Sequence, residues 1–508
     1  MSHHRSIALP IAVLSVAALL LPRTAAALAY DVGPGLAFEA LGDVPWESLA
    51  PGDEVLIHWR AAPYAEKFVL CVQGTESLPI TVRGIPGPLG ELPVIDGRDA
   101  TTRSALDFWS ETRGVVKIGG ANTPADAMPS WIVIADLDIR SGRTPFSFTG
   151  RDGLTDYDDN AASIFVEKGE HITLRNLALH DSGNGLFVAH STTDVLVEGC
   201  HVWDNGIEGS IYEHNSYTEA VGIVFQYNHY GPLRTGCLGN NLKDRSAGTV
   251  VRYNWIESGN RQLDLVESDY DELISLPAYR ETFVYGNVLV EHEGDGNSQI
   301  LHYGGDNGDD ESIYRKGTLY FFNNTIVSTR DGNTTLMRLS TNDEHADCRN
   351  NIVYVTAAGE SLAWLSENGV LDLSSNWTRP GSVDSHGTLA GTINDLGGSV
   401  AGDSPGFVDE PGQDYHLASP GSACLDAGAD LAGAALPDHS LLQQYVTHQG
   451  TEPRPVDGAL DLGAFETCQS GDCTPAGDDI VEPVPDLPPD TAPDGSTDPR
   501  NRAPRSLV

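Results

Sequence analysis

Residues 318–328, Thr-Leu-Tyr-Phe-Phe-Asn-Asn-Thr-Ile-Val-Ser, contain the pattern that decides the fold. A short run of strand-forming residues leads into Asn, and a second apolar run follows. The same order recurs at 249–256 and at 282–289, and its second half, Asn followed by an apolar run, recurs at 351–354. Runs of three to six β-branched and aromatic residues between Gly, Asn and Asp predict strands. No stretch keeps a helical period over three turns, and Pro437 interrupts the nearest candidate.

The Asn or Gly that ends each run recurs at regular intervals. The positions are Asn176, Gly199, Asn254, Asn287, Asn324, Asn351 and Asn376, at intervals of 23, 55, 33, 37, 27 and 25 residues. Most of these intervals suit one coil of about 20–30 residues, and 55 suits two coils. Asn tolerates the left-handed conformation at a sharp corner, and stacked Asn side chains can bond from coil to coil. We therefore predict an all-β parallel β-helix, in preference to a sandwich, which needs hairpins and strict alternation.

Composition and charge limit the classes of function. The chain has 508 residues, with 30 Lys+Arg against 72 Asp+Glu, a net charge of −42. A surface this acidic repels phosphate backbones, so nucleic acid is not an expected partner. The region after the leader contains no apolar run of about 20 residues, so no membrane span is expected. The chain is expected to act as a monomer.

The two ends of the chain differ from the body. Residues 1–29 have the basic, apolar and small-residue order of a signal peptide, which predicts a secreted or cell-surface, extracytoplasmic bacterial protein. Residues 468–508 are acidic and Pro-rich and predict a disordered tail. Between them we expect an N-terminal cap and first coils at 30–110, then the β-helix with a closing segment at 111–467. Of seven cysteines, Cys468 and Cys473 are close enough to form a small loop.

Two terminal pieces resemble a known superfamily. Residues 49–55 (LAPGDEV), 79–84 (PITVRG) and 95–97 (IDG) resemble its opening motif. Residues 403–407, 414–417, 422–428 and 461–466 resemble its closing motif. The chain is thus similar to the secreted right-handed parallel β-helix proteins of the pectate-lyase-like superfamily. The resemblance implies a right-handed solenoid over roughly residues 40–467, and says little about chemistry.

A middle piece carries the functional implication of that resemblance. His214-Asn215-Ser216-Tyr217, then 240–247 (NNLKDRSA), 251–254 and 262–265 (QLDL), resemble an order found in many bacterial β-helix proteins. Those proteins are commonly assigned as polysaccharide-degrading enzymes. The chain departs from the pectate lyase pattern of three calcium carboxylates with an Arg base. It also departs from alginate and chondroitin lyases, whose Lys and Arg lie about one coil apart.

Lys243 and Arg245 form the leading catalytic candidate. They are two residues apart, so on a strand they project from the same face. A neighbouring guanidinium and partial burial would both lower the pKa of the lysine, which suits a general base. The pair would supply β-elimination from a uronic acid with a base and a cation for the carboxylate. A structural role beside Asp244, Asp264 or Glu267 is the alternative.

Further residues complete the predicted site. His214 and Tyr217 precede Lys243 by about one coil, and either could protonate the leaving oxygen. The residues predicted to bind substrate are Arg261, His302, Arg338 and Tyr227. Asp264, Glu267 and Asp269 could bind Ca²⁺ through carboxylate oxygens, or remain solvated acidic surface. We expect His214, Lys243, Arg245 and Asp264 to gather on one outer face.

These residues predict a lyase, or a related C5-epimerase, acting on an acidic, uronic-acid-containing polysaccharide. A glycoside hydrolase with paired carboxylates is one alternative. A non-catalytic carbohydrate-binding or surface β-helix protein is the other. The net charge of −42 opposes polyanion binding unless the groove is locally basic or holds calcium.

Overall fold

The structure is a computed structural model of the whole chain, and it describes residues 27–308, 310–469, 471 and 473–476. The predicted signal peptide, apart from residues 27–29, lies outside the described residues, as does the predicted tail from residue 477 onward. No helix in the described ranges is long and apolar enough to cross a membrane.

The body is a parallel β-helix, as predicted, and its strands form three ladders. The first ladder comprises Ala29–Val32, Glu54–His58, Ile80–Ile85, Ser130–Ala135, the second halves of Ala162–Arg175 and Asn184–Glu198, then Val221–Gln226, Ala247–Arg252, Glu281–Tyr285, Thr318–Phe322, His345–Arg349, Val370–Ser374 and Thr392–Asp395. The second comprises Glu66–Leu70, Gly114–Ile118, the first halves of the same two long strands, then Ser216–Thr218, Leu242–Asp244, Leu263–Leu265, Gln299–Tyr303, Thr334–Leu339 and Leu362–Leu365. The third comprises Val94–Asp96, Asp138–Arg140, Ala178–His180, His201–Trp203, His229–Tyr230, Trp255–Glu257, Val288–Glu291, Thr325–Ser328, Ile352–Val355, Trp377–Thr378 and Val400–Ala401.

Short elements complete the chain. Further strands are Ala100–Thr102, Asp107–Phe108, Ala121–Thr123, Ser147–Gly150, Gly153–Asp156, Phe407–Asp409, Asp414–Leu417, Gln443–Val446, Gly450–Pro453, Pro455–Val456 and Thr474–Pro475. One α-helical turn, Asp271–Ile274, is accompanied by 3-10 turns at Leu41–Asp43, Trp46–Ser48, Glu111–Arg113, Pro277–Arg280, Glu311–Ile313, Gly359–Ser361 and Gly433–Ala435. Cys468 and Cys473 form the expected disulfide.

A buried ladder of asparagines confirms the predicted corner. The amide nitrogen of each Asn donates to the amide oxygen of the Asn one coil later, at 2.9–3.1 Å. Its members are Asn228, Asn254, Asn287, Asn324, Asn351 and Asn376. Asn228 divides the 55-residue interval, 29 residues after Gly199 and 26 before Asn254, so that interval is indeed two coils. Each Asn satisfies backbone groups that the turn leaves buried.

Parallel coils are already present in segment 30–110, where we expected an N-terminal cap and the first coils. Ala29–Val32 already pairs in parallel with Glu54–His58, and segment 30–110 contributes strands to all three ladders. The inward side chains of all ladders merge into one continuous apolar column, which a single coil could not bury alone.

Residues 403–467, termed the C-terminal strap, run back along the side of the β-helix, whereas we expected them to complete its end. Tyr415, Tyr445 and Phe465 pack against Trp255 and Trp377. Gln449 bonds to the carbonyl of Gly199, 250 residues earlier in the chain. The strap therefore covers parts of the third and first ladders and leaves the second ladder, where the candidate site lies, to other loops.

Candidate functional site

Five of the predicted site residues form a single column on the second ladder. In strand register Tyr217 pairs with Lys243, Lys243 with Asp264, Asp264 with His302, and His302 with Arg338. We call this set the charged column. Neighbouring strands lie about 4.8 Å apart, so the column is roughly 19 Å long over four spacings.

Strand alternation explains why these side chains point outward. Most residues on either side of them in sequence enter the apolar core, and Ser216, Thr218 and Asp244 are buried inward as polar groups. The apolar ones are Leu242, Leu263, Leu265, Leu301, Tyr303, Met337 and Leu339. Successive side chains of a strand point to opposite faces, so the polar residue between two core residues must project outward. The hydrophobic pattern thus fixes the register, and the register assembles the column.

The centre of the column is an ion pair between Lys243 and Asp264. The Lys243 amine donates to Oδ2 of Asp264 at 2.7 Å and to Oδ2 of Asp306 at 3.1 Å. Lys243 is only 5% exposed and Asp264 is fully buried. The amine therefore lies between two carboxylates, whereas we expected it to face an open groove.

The pKa of Lys243 moves in the direction opposite to the expected one. Burial lowers it, and Arg245 lowers it further as anticipated, but Asp264 and Asp306 outweigh both and raise it above its ordinary value. The expectation considered the guanidinium two residues away and could not include carboxylates from two later coils. The two carboxylates therefore hold Lys243 in its charged form at neutral pH, which disfavours the predicted general-base role.

Asp264 is the acceptor on which the surrounding donors converge. Besides Lys243, it accepts from Nδ2 of Asn240 at 2.7 Å and from Nδ1 of His302 at 3.0 Å, with Arg261 3.6 Å away. Burial would raise its pKa, yet Lys243, His302 and Arg261 hold it well below its usual range. This carboxylate orients the basic residues around it.

The predicted calcium carboxylates do not fit a metal site in this arrangement. Asp264 is occupied by nitrogen donors, Glu267 accepts the backbone N–H of Asp306, and Asp269 pairs with Arg245. In the described part of the chain, the one set of three such ligand atoms within 4.8 Å of one another belongs to Asp457, Cys468 and Cys473. Those two cysteines form the disulfide, so calcium stays a prediction from sequence alone.

Arg245 lies beside the column and is 5% exposed. Its Nη1 donates to Asp269 at 3.1 Å, and its Nη2 is 3.9 Å from Oδ1 of Asp306. Its guanidinium also lies 5.7 Å from the centre of the Tyr217 ring. Its Nε is buried with no hydrogen-bond partner among the described residues.

Tyr217 and His214 border the same cations. Tyr217 is half-buried, and its hydroxyl has no hydrogen-bond partner in the ranges that the structure describes. Burial raises the pKa of the phenol, although Arg245 opposes this. His214 is buried, and burial followed by Lys243 lowers its pKa to about 3. Its Nδ1 accepts the N–H of Asn240, so the neutral ring carries its proton on Nε2.

The predicted substrate-binding residues separate into three situations. Arg338 is half-buried, and its guanidinium has no hydrogen bond or ion pair with the described residues. Arg261 is tied to Gln299 by two hydrogen bonds and remains partly exposed. His302 is fully buried between Asp264 and Ser340, so it supports Asp264 and is not placed to contact a ligand.

Tyr227 lies away from the charged column. It occupies the corner after the first-ladder strand Val221–Gln226, with φ of 58°, and stacks on Tyr253. It belongs to an apolar cluster with strap residues Leu431 and Leu460. This position, away from the charged column, does not fit the predicted substrate-binding role. The sequence did not show which corner Tyr227 occupies, so the prediction could not take it into account.

Asp306 and Glu219 are site residues that sequence analysis did not identify. Asp306 stands in an acidic run typical of a surface loop, and its proximity to Lys243 across 63 residues had no local signal. Burial raises the pKa of Glu219 to about 7, and that of Glu267 also to about 7, despite the nearby Arg245. Two glutamates therefore titrate near neutrality beside a fixed cation.

A buried ion pair supports the column from beneath. Asp244 points inward, where it accepts from Thr218, Ser246 and Thr249. Arg315, fully buried, bonds to the carbonyl of Asp244 and to that of Val266. These contacts fix the strand that carries Lys243 and Arg245.

Comparison with known proteins concerns the fold. No protein-family model matches the chain, and no curated protein matches it. Among solved structures, pectate lyase Pel9A is 12% identical with a TM-score of 0.48, covering 86% of this chain and 96% of that one. An alginate lyase from Paenibacillus sp. str. FPU-7 is 12% identical with a TM-score of 0.40, covering 68% and 93%.

A GH136 lacto-N-biosidase from Eubacterium ramulus is 14% identical with a TM-score of 0.40, covering 73% of this chain and 68% of that one. All three similarities are low, and they do not assign an activity to this chain.

Proposed function

We propose that the chain is a secreted carbohydrate-active enzyme that cleaves a uronic-acid-containing polysaccharide by β-elimination at the charged column. The supporting observation is the register that places Tyr217 next to Lys243 and continues to Arg338. Tyr217 and Arg338 are the members with polar groups unpaired within the described chain. They are roughly 19 Å apart, so only an extended ligand can contact both.

The permanent cations carry the electrostatic part of the reaction. A uronate carboxylate next to Lys243 and Arg245 is neutralised, which makes the adjacent C5 proton more acidic and stabilises the negative charge that develops on its removal. Both cations are almost fully buried, and low solvent access strengthens their field. The objection from net charge is met only at this point of the surface, where Lys243 and Arg245 offer a uronate two cations in place of the Asp306 carboxylate.

Tyr217 is the proposed proton-transfer group. The Tyr217 phenol first releases its own proton to solvent, against its raised pKa. As phenolate it then takes the C5 proton, the C–H electron pair forms the C4=C5 double bond, and the C4–O4 bond breaks. The phenol then returns the proton to the leaving oxygen, so no further reactant is needed. Arg261 and Arg338, at the far end of the column, bind carboxylates of more distant sugars.

The test is an assay on a panel of uronic-acid and neutral polysaccharides with two readouts. Ultraviolet absorbance reports the new double bond, and a reducing-end assay reports every cleavage. β-Elimination raises both signals. Tyr217→Phe and Lys243→Met should each lower turnover at least 100-fold, while Tyr212→Phe, at an exposed tyrosine, should leave it unchanged. Full activity in Tyr217→Phe would contradict the assignment.

One observation favours hydrolysis as the second candidate function. Glu267 has its pKa raised to about 7, whereas Lys243 and Arg245 hold the pKa of neighbouring Asp306 below its usual range against the effect of burial. A protonated carboxyl beside an ionised one is the pairing that a glycoside hydrolase uses. Reducing ends without unsaturated product, abolished in Glu267→Gln, would establish this alternative. If neither signal appears with any polysaccharide of the panel, the result favours a binding protein.

A further inference from the structure

Asp306 places a carboxylate across the two cations of the proposed site. It lies on the loop that follows Gln299–Tyr303, with Oδ2 3.1 Å from the Lys243 amine and Oδ1 3.9 Å from Nη2 of Arg245. Its side chain is 25% exposed, whereas each cation side chain is only 6% exposed. Asp306 therefore separates both cations from solvent.

Neither cation depends on Asp306 for its counter-ion. Lys243 already pairs with Asp264 at 2.7 Å, and Arg245 pairs with Asp269 at 3.1 Å. The contact of Asp306 with Arg245 is also incomplete. Its Oδ1 and the Nε of Arg245 are both buried, and neither has a hydrogen-bond partner among the described residues. Unpaired buried polar atoms are uncommon and are costly unless another partner takes their place.

We propose that the Asp306 carboxylate occupies the position of the substrate's uronate carboxylate, and that a bound uronate displaces it from Lys243 and Arg245. This inference rests on the proposed function and names the ligand group that its site selects. Exchange of one carboxylate for another leaves the charge around the cations unchanged. A neutral sugar offers no such replacement, so the site discriminates for anionic sugars.

Only the side chain of Asp306 needs to move. Its backbone N–H donates to Oε2 of Glu267 at 2.9 Å, and the N–H of Gly305 donates to Ser340 at 2.8 Å. These bonds hold the loop while rotation about the Cα–Cβ bond turns the carboxylate into solvent. Asp306 is thus an internal competitor of the substrate, and its removal should strengthen uronate binding.

The test measures affinity for a monosaccharide that is not cleaved. Titration calorimetry with D-galacturonate should show at least tenfold tighter binding to Asp306→Ala than to the unaltered protein, and no difference with D-galactose. Asp306→Asn keeps the shape without the charge and should behave similarly if the alanine variant folds poorly. Asp343→Ala, at an exposed carboxylate paired with Lys316, is the matched control and should have no effect.

The outcomes separate this inference from the proposed function. Unchanged or weaker galacturonate binding in both Asp306 variants would overturn the inference, and Asp306 would be a structural counter-ion. Tighter binding without any β-elimination by the unaltered protein would support the inference and remove the lyase proposal. On a polysaccharide, the displacement predicts that Asp306→Ala lowers KM with little change in kcat, whereas a supporting role predicts a fall in kcat.

Discussion

The amine of Lys243 and Oδ2 of Asp264 are 2.7 Å apart, on strands that neighbour each other in register, and neither side chain is more than 6% exposed. The pair has further partners on both sides: Asp306 for the lysine, and Asn240 and His302 for the aspartate. It joins three coils that are distant in sequence. A pair so deeply buried contributes both to the electrostatic field of the site and to the stability of the stack.

Lys243→Met should therefore destabilise the fold as well as reduce turnover. Removing one member of a buried ion pair leaves the other charge uncompensated, which costs about 3–5 kcal/mol. Urea unfolding followed by circular dichroism measures this loss. Lys316→Met removes a lysine paired with the exposed Asp343 and should change stability by less than about 0.5 kcal/mol. If both variants lose the same free energy of unfolding, burial of the Lys243–Asp264 pair does not contribute to stability.

Glu291→Gln should stabilise the protein at pH 8 but not at pH 4. Burial raises the pKa of Glu291 to about 7, although Ser328 and Thr334 donate to it. In the unfolded chain the carboxyl ionises near its ordinary value of 4.5, so stability is present below pH 4.5 and is lost as pH rises to about 7. A shift of this size corresponds to at most ~3 kcal/mol.

Unfolding curves of Glu291→Gln at several pH values check this prediction. The difference from the unaltered protein should grow between pH 4.5 and 7 and then level off. Glu293→Gln, two residues further and exposed, is the control and should give no such trend. A difference that is constant with pH would contradict the assigned cause.

Asn287→Ala should weaken the whole β-helix. The Asn287 amide donates to Val251 and Asn324, and its oxygen accepts from the backbone and side chain of Asn254. Alanine leaves buried backbone groups unpaired, at about 1–3 kcal/mol each. Thermal unfolding should therefore show that Asn287→Ala loses several kcal/mol of stability. Asn394→Ala, at an exposed residue, should lose little stability. A small loss of stability in Asn287→Ala would mean that water molecules replace the hydrogen bonds of the asparagine ladder.

The C-terminal strap should loosen in acid through His439. Its ring stacks on Phe283 at 3.7 Å, and burial, with Arg252, lowers its pKa to about 4. The released ring titrates near 6.5, so docking is strongest above pH 6.5 and weakens up to about tenfold per pH unit down to pH 4. Limited proteolysis should detect faster cleavage at 436–456 as pH falls.

His439→Phe keeps the stacked ring without the titrating group, so cleavage of the strap should no longer depend on pH in this range. His416→Phe changes an exposed strap histidine, so the pH dependence should persist. If acid accelerates cleavage equally in the His439 and His416 variants, another group controls the strap.

Most of the architecture follows from local sequence. Short apolar runs separated by Asn corners require a stack, because one coil cannot bury its own apolar face and Asn suits the corner. Three residues of the charged column could also be chosen from sequence, since Asp264, His302 and Arg338 are each polar between apolar neighbours. Alternation fixes which face such residues occupy without any knowledge of the partner strand.

Tertiary structure alone decided the chemistry of those residues. Sequence shows the guanidinium two positions from Lys243, but the carboxylates that reverse the expected pKa change come from coils 21 and 63 residues away. The lengths of the intervening loops determine which side chains become neighbours, and loop length leaves no periodic signal. The same reason separates Tyr227 from the column and brings Asp306 into it. Backbone pattern therefore determines the scaffold, whereas charge, burial and accessibility depend on contacts between distant coils.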